Sequence, residues 1–305
     1  MKKAIVVGGA GFIGSTLADE LISRGIDTTI IDNLLTGKES NVNPKAKFFK
    51  LGIHDTSIEK LQSMMEGADV VFHLAALARV QPSIENPIEY NEVNITGTLN
   101  VLLAAHKAKV KRVVYSASSS AYGDATIFPT PETHSINPLS PYGLQKLVGE
   151  QYCKMFSEVY GLDTCSLRYF NVYGERMNLE GAYCLVMGIF AKQMLNNEPL
   201  NITNDGEQRR DFTYVGDVVE ANILAATHSN KLKGEVFNIG NGNDYSVNEV
   251  ADAFGGEKKY GEKRLEPFKT LADNTKAKSI LGWDPQGDLL PWIQKYKKDL
   301  GLFKN

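Results

Sequence analysis

The first half of the chain alternates short β-branched, aliphatic runs with longer stretches of helical period. "KAIVVGG" (3–9) leads into a helical pattern over about 12–24, and "TTIID" (28–32) follows. "KFFKLGI" (47–53) precedes a short helical pattern near 56–66, and "DVVFHLAA" (69–76) comes next. A long helical pattern near 88–108 leads to "RVVYSAS" (112–118). In "SPYGLQKLVGEQY" (140–152) Ser140 suits an N-cap and Pro141 the first helical position, and this helix leads to "DTCSLRYFNVYG" (163–174). Strands alternating with helices predict right-handed βαβ units and a parallel sheet. The near-continuous apolar runs suit strands buried on both faces.

After about residue 171 the rhythm changes. "VYGERMNLEGAYCLVMGIFAKQMLNNEPL" (172–200) reads as an irregular loop that becomes a helix. "DFTYVGDVVEANILAATHS" (211–229) reads as a turn and a helix, "EVFNIGNG" (235–242) as a strand, and "KSILGWDP" (278–285) as a short helix ending in a turn. The expected class is α/β, a Rossmann-type doubly wound parallel sheet with a smaller α/β lobe. A ligand is expected in the cleft at the carboxyl ends of the strands.

Composition narrows the function. The chain has 305 residues and a formal net charge of −3, which argues against a nucleic-acid or anionic-membrane surface. No apolar run approaches the roughly 20 residues of a membrane span. "MKKAIVVGG" reads as a first strand, because glycines break its apolar stretch at once. Cys153, Cys165 and Cys184 lack metal-ligand spacing, so the expectation is free thiols in a reducing cytoplasm and no metal.

Two constellations carry chemistry. "VVGGAGFIG" (6–14) contains Gly8, Gly11 and Gly14 between a strand and a helix, and the next strand ends in Asp32. That context marks a dinucleotide fingerprint, in which glycines let backbone N–H groups and a helix N-terminus approach a pyrophosphate. Asp32 stands where a carboxylate binds ribose hydroxyls and repels a 2′-phosphate, which favours NAD; Asn33 beside it is a further hydrogen-bonding candidate. The second constellation is Ser118, Ser119 and Ser120 at a strand's carboxyl end, followed by Tyr142 and Lys146 on one helix face. A lysine and a cationic nicotinamide would lower the phenol's pKa, and the phenolate could then take a sugar hydroxyl proton while the carbinol hydride leaves. His73 reads as a packed, hydrogen-bonded residue.

With "GGAGFIG", "DNLLTG", "FHLAA", "YSASSSAYGD", "SPYGLQK", "RYFNVYGERM", "RRDFTYVGDV" and "LADNTKA" in this order, the chain resembles an extended short-chain dehydrogenase/reductase of the NAD-dependent epimerase/dehydratase family. Within it the chain is most similar to UDP-N-acetylglucosamine and UDP-glucose 4-epimerases. The resemblance implies an isomerase acting on UDP-sugars, with NAD as cofactor and a homodimer built from the helices near 88–108 and 141–160. Apolar residues there, such as Leu99, Leu102, Leu103 and Val148, suit either that interface or the core. It implies an NAD-binding domain over 1–170, with a return segment about 211–240, and a substrate-binding lobe over 171–305.

By the same resemblance Tyr142 is the acid/base, Ser118 its hydrogen-bonding partner and Lys146 the cofactor-positioning residue. Gly8, Gly11, Phe12, Ile13, Gly14, Asp32, Asn33 and Asn94 fall on the cofactor side. Ser118, Ser119, Ser120, Asn171, Arg210, Arg264 and Thr270 fall on the substrate side, the arginines at the diphosphate. Dehydratases of the family carry acids where Ser119 and Ser120 stand. Thr270 matches a gate whose small side chain admits an N-acetyl group, although "RLEPFKT" is one residue shorter than the usual spacing. Arg176 leaves a uronate substrate open. Gly52 stands where the family often has an adenine-contacting aspartate, with Asp55 three residues on, and Ala78 and Arg79 follow "AAL" where glucose-type epimerases carry a lysine. A non-catalytic NAD- or nucleotide-sugar-binding protein is the rival reading; it would be expected to have lost Tyr142, Lys146 or Ser118, and all three are present.

Overall fold

The computed structural model describes residues 1–177, 186–262 and 267–302. Strand β1 (Lys3–Val7) runs into helix α1 (Phe12–Ser23), followed by β2 (Asp27–Asp32), β3 (Lys47–Lys50), α2 (Ile58–Met65) and β4 (Val70–His73). Two short helices, α3 (Val80–Glu85) and α4 (Pro87–Asn91), pass through a π-helical turn at Glu92–Thr96 into α5 (Gly97–Lys107). Next come β5 (Arg112–Ser118), α6 (Pro141–Val159), β6 (Asp163–Tyr169), β7 (Asn171–Tyr173), α7 (Val186–Leu195) and β8 (Leu200–Ile202). The remainder is β9 (Arg209–Tyr214), α8 (Val215–Thr227), β10 (Glu235–Ile239), β11 (Asp244–Ser246), α9 (Val247–Phe254), β12 (Lys258–Tyr260) and α10 (Leu289–Asp299).

Seven strands form one parallel sheet in the order β10-β6-β5-β4-β1-β2-β3. Side chains alternate across a strand, and both faces of this sheet are covered. Ala4 and Val6 of β1 join one core cluster with α1, α8 and Trp283. Ile5 and Val7 join the other, with α2, α5 and α6. That is why the strands read as unbroken apolar runs. The order reverses between β1 and β4, so a crevice opens there at the carboxyl ends.

The sheets β11-β9-β7 and β12-β8, with α7, α9 and α10, enclose a separate core around Phe190, Phe254 and Ile293. Two local readings differ from the structure. "DFTY" is strand β9 rather than a turn, because β7 and β11 pair on either side of it. The helical pattern near 88–108 is several pieces, and the π-helical turn in it contains the buried Asn94.

The chain's return to the large sheet is held by a buried ion pair. Arg112 opens β5 and Asp163 opens β6; Arg112 Nε donates to Asp163 Oδ2 at 2.6 Å. Arg112 also donates to the carbonyls of Ala225, His228 and Asn230, at 2.7, 3.0 and 2.7 Å, around the end of α8. Asp163 Oδ1 accepts the N–H groups of Leu232 and Lys233, at 2.8 and 2.9 Å. The pair thereby satisfies backbone groups on both sides of the turn that delivers β10. Replacing Asp163 with Ala strands a buried guanidinium and should cost about 3–5 kcal/mol. Chemical denaturation of Asp163→Ala beside the parent checks this; a loss under about 1 kcal/mol would contradict it.

Candidate active site

The loop after β1 is packed backbone against backbone. Gly8 has φ +85, and a Cβ there would lie 2.5 Å from Ala75 N, beyond the end of β4. A Cβ at Gly14 would lie 2.1 Å from Gly8 O. Gly11 is the N-cap of α1 and offers no side-chain cap, so the helix's first N–H groups stay available to an anion. Phe12 packs toward the smaller lobe's core and Ile13 toward the large sheet's. Asp32 shapes this loop: its carboxylate accepts Ala10 N at 3.0 Å and Leu34 N at 2.8 Å. A carboxylate offers about four acceptor sites, so ribose hydroxyls can still be bound. Asn33 is exposed, and its Oδ1 accepts Leu35 N at 3.0 Å in a local turn.

At Gly52 a Cβ would lie 2.5 Å from Asp55 Oδ1, so the Asp55 carboxylate fills the space a side chain at 52 would take. Asn94 is committed to protein partners. It accepts Leu77 N at 2.8 Å and donates to Leu77 O and Gln145 Oε1, at 2.9 and 3.0 Å. It thereby ties the loop after β4 to α6.

The candidate reacting groups stand where β5 ends and α6 begins. Ser140 caps α6, accepting Gly143 N at 3.1 Å, and Pro141 opens it as expected. Ser83 of α3 is buried and accepts Tyr142 N at 3.2 Å, which clamps this first turn to α3. Ser118 Oγ accepts both the N–H and the hydroxyl of Ser120, at 3.2 and 2.8 Å. Its own proton is thus left to donate toward Tyr142. Burial raises the Tyr142 phenol above its usual value, while the hydrogen bond from Ser118 and the charge of Arg79 favour the phenolate. Ser119 sits half-buried beside them.

This corrects one expectation. The groups that lower the Tyr142 pKa here are Ser118 and Arg79, not Lys146. Lys146 lies one turn along α6, is 3% exposed, and donates from Nζ to Ser116 O at 2.7 Å. Its Nζ also stands 5.0 Å from the centre of the Tyr115 ring. Burial pushes Lys146 down to about 8, partly offset by Glu150. His73 is packed and hydrogen-bonded as read, with Nε2 2.9 Å from Thr98 Oγ1. Burial and the Lys146 charge push it down to about 3, so it is neutral.

On the other side of the cleft, Asn171 Nδ2 lies 3.2 Å from both Asp211 O and Thr270 Oγ1. Arg210 Nη1 donates to Arg209 O at 2.8 Å and Phe268 O at 3.3 Å. Thr270 is half-buried. Arg176 is paired with Asp19 of α1 at the surface. Arg264 lies outside the described residues, as does Cys184. Arg79 was legible only as the neighbour of Ala78. Its φ of +136, uncommon for a residue with a side chain, follows from the tertiary fold. Ser83 and Asp211 gave no local signal of their roles.

The family model of NAD dependent epimerases and dehydratases matches residues 4–240. The chain belongs to that family. Its cofactor is NAD, and the tight glycine turn that aims the uncapped N-terminus of α1 outward fits a dinucleotide's pyrophosphate. A Methanocaldococcus jannaschii protein provisionally named UDP-glucose 4-epimerase is 42% identical over 299 residues, covering 95% of this chain and 96% of the relative. The crystal structure of a Thermotoga maritima UDP-glucose 4-epimerase with UDP-glucose matches with TM-score 0.91 and 38% identity, over 98% of this chain and 99% of that one. A Methanobrevibacter ruminantium UDP-N-acetylglucosamine 4-epimerase in complex with UDP-N-acetylmuramic acid matches with TM-score 0.91 and 35% identity, over 99% of this chain and 97% of that one.

The buried lysine has a consequence for stability. With Lys146 at about 8 in the folded chain against 10.5 ordinarily, the unfolded chain binds the extra proton between those values. Stability from this group therefore rises as pH goes from about 8 to 10.5, and below 8 its charge is a full penalty. Lys146→Met should be more stable than the parent at pH 7, by roughly 1–2 kcal/mol after loss of the bond to Ser116. The advantage should vanish near pH 10. Denaturant midpoints at both pH values check the sign.

Proposed function

We propose that this chain interconverts UDP-hexoses at C4 through a transient 4-keto sugar. Its substrates in this reading are UDP-GlcNAc and UDP-GalNAc, and with them UDP-Glc and UDP-Gal. The carrying observation is the Ser120–Ser118 hydrogen bond beside the Tyr142 phenol, a group that can move one hydroxyl proton and has serines where a dehydration would need carboxylic acids. When bound, NAD supplies the hydride acceptor and donor at C4. Tyr142 takes and returns the C4 hydroxyl proton, Ser118 shares it, and Lys146 holds positive charge beneath the site. Ser119 and Ser120 line the sugar side.

Gly8, Gly11, Phe12, Ile13 and Gly14 hold the pyrophosphate in this reading. Asp32 and Asn33 face the adenosine ribose, Asp55 takes the place of a residue-52 side chain toward adenine, and Asn94 positions the wall behind. Asn171, Arg210 and Arg264 hold the UDP diphosphate region. Thr270 sits beside the sugar's 2-substituent, where its small side chain leaves room for an acetamido group. Arg176, engaged by Asp19, speaks against the alternative of a uronate carboxylate in the pocket.

The same proposal divides the chain into a cofactor domain over 1–170, joined by the return segment about 211–240, and a substrate lobe over 171–305. It places a homodimer contact on the outer faces of α5 and α6, where Leu144 is 51% exposed and Val148 half-buried. Leu102, by contrast, is buried in the core, with Leu99 and Leu103 packed against it. A cytoplasmic setting suits Cys153 and Cys165, which are free and buried.

The test is to incubate the purified chain with UDP-GlcNAc, UDP-Glc and UDP-GlcA and separate the products. A C4 epimer of the first two is expected; none from any of them would sink the proposal. Tyr142→Phe should reduce turnover by about 10²–10⁴ while keeping bound NAD, read by its absorbance and fluorescence. Thr270→Tyr should abolish turnover of UDP-GlcNAc and spare UDP-Glc. Equal losses on both sugars would remove Thr270 from the gate.

A further inference from the structure

Asp211 has no exposed surface. Its carboxylate accepts three backbone N–H groups: Asn241 at 2.7 Å on Oδ1, and Gly242 and Ala272 at 3.0 Å each on Oδ2. Asn241 and Gly242 form the turn that leaves β10 of the large sheet. Ala272 lies two residues beyond Thr270. The Asp211 backbone joins the same segments. Its N–H donates to Thr270 O at 2.9 Å, and its carbonyl accepts Asn171 Nδ2 at 3.2 Å.

The junction is tight. A Cβ at Gly240 would lie 2.4 Å from Ala272 Cβ and 2.8 Å from Asp211 Oδ2. Burial pushes Asp211 up to about 6, even though its three N–H donors favour the ionised form. A buried carboxylate is costly unless hydrogen bonds compensate it. Here the compensating donors come from two segments: the end of the large sheet, and the strand-like stretch pairing with β9 through Arg209 and Lys269.

We propose that Asp211 is the positioning residue of the sugar-diphosphate pocket. It holds Asn171, Thr270 and the adjoining Arg210 against the end of the large sheet, so substrate affinity depends on it while the chemical step does not. This role rests on the UDP-sugar reading above.

The test compares the full-length parent with Asp211→Asn and Gly240→Ala. Calorimetric UDP binding, steady-state kinetics with UDP-GlcNAc and UDP-Glc, and bound NAD are measured for each. In Asp211→Asn one of the three N–H groups must face an amide N–H. KM and the UDP dissociation constant should rise about tenfold, with kcat within about threefold and NAD content unchanged. Gly240→Ala strains the same junction without touching its charge and should move KM in the same direction. A lowered melting temperature with unchanged KM, or a fall in kcat at unchanged KM, overturns the role. Should Asp211→Asn fail to fold, Gly240→Ala decides. A parent that binds no UDP removes the UDP-sugar reading and this role with it, whereas a parent that binds UDP beside variants of equal affinity removes only the role.

Discussion

The ammonium of Lys146 is taken out of water, and the middle of the molecule is arranged around that cost. A buried lysine needs acceptors and compensating charge, or it gives up its proton. Ser116 O supplies the acceptor and the Tyr115 ring a polarisable wall. A Cβ at residue 149 would lie 2.2 Å from the Tyr115 hydroxyl, so glycine is what lets α6 settle this close to β5. One turn further on, Glu150 is buried and bound in a two-pronged pair by Arg168, at 2.9 and 2.7 Å. Arg168 in turn stacks on Tyr122, with 4.6 Å between guanidinium carbon and ring centre. The charges alternate from the site into the protein. The pair stabilises Lys146 without leaving a free carboxylate beside the phenol.

The cleft has two differently built sides. The cofactor side is made of backbone close approaches that only glycine allows, at Gly8 and Gly14. The sugar side is made of hydrogen bonds between segments far apart in sequence, such as Asn171 with Thr270 and Asp211 with Ala272. In the proposed reading the first side binds a constant feature, a pyrophosphate. The second is the more readily altered, because a change in one loop shifts the neighbours it is bonded to. Relatives that share the fold but are named for different UDP-sugars fit this asymmetry.

Local chemistry made part of this legible in the sequence. Ser140 and Pro141 announce α6 because capping depends on residues three apart. Gly8, Gly14 and Asp32 announce the cofactor loop because a strand, a turn and a helix N-terminus are contiguous. Strand β9 was misread because "DFTYVGD" carries turn residues. Its extended form comes from pairing with β7 and β11, which no local window contains. The influence of Arg79 on Tyr142 was hidden for the same reason, since α3 reaches α6 only in the folded chain. The ammonium of Lys146, on the same helix face as Tyr142, turns to the strand backbone, a partner that helix periodicity does not reveal.

Strand β10 enters the large sheet beside β6 only after the chain has built much of the smaller lobe. Until residues 235–239 arrive, β6 is an open edge, with unpaired backbone groups along a run of buried residues. Contacts of such long sequence separation form slowly, because loop closure precedes their reward. During synthesis the first half of the chain therefore emerges before the strand that pairs with β6. The Arg112–Asp163 pair, which also grips the turn after α8, gives the late strand a prepared landing place. The strand that closes the sheet is thus also the one that covers this edge.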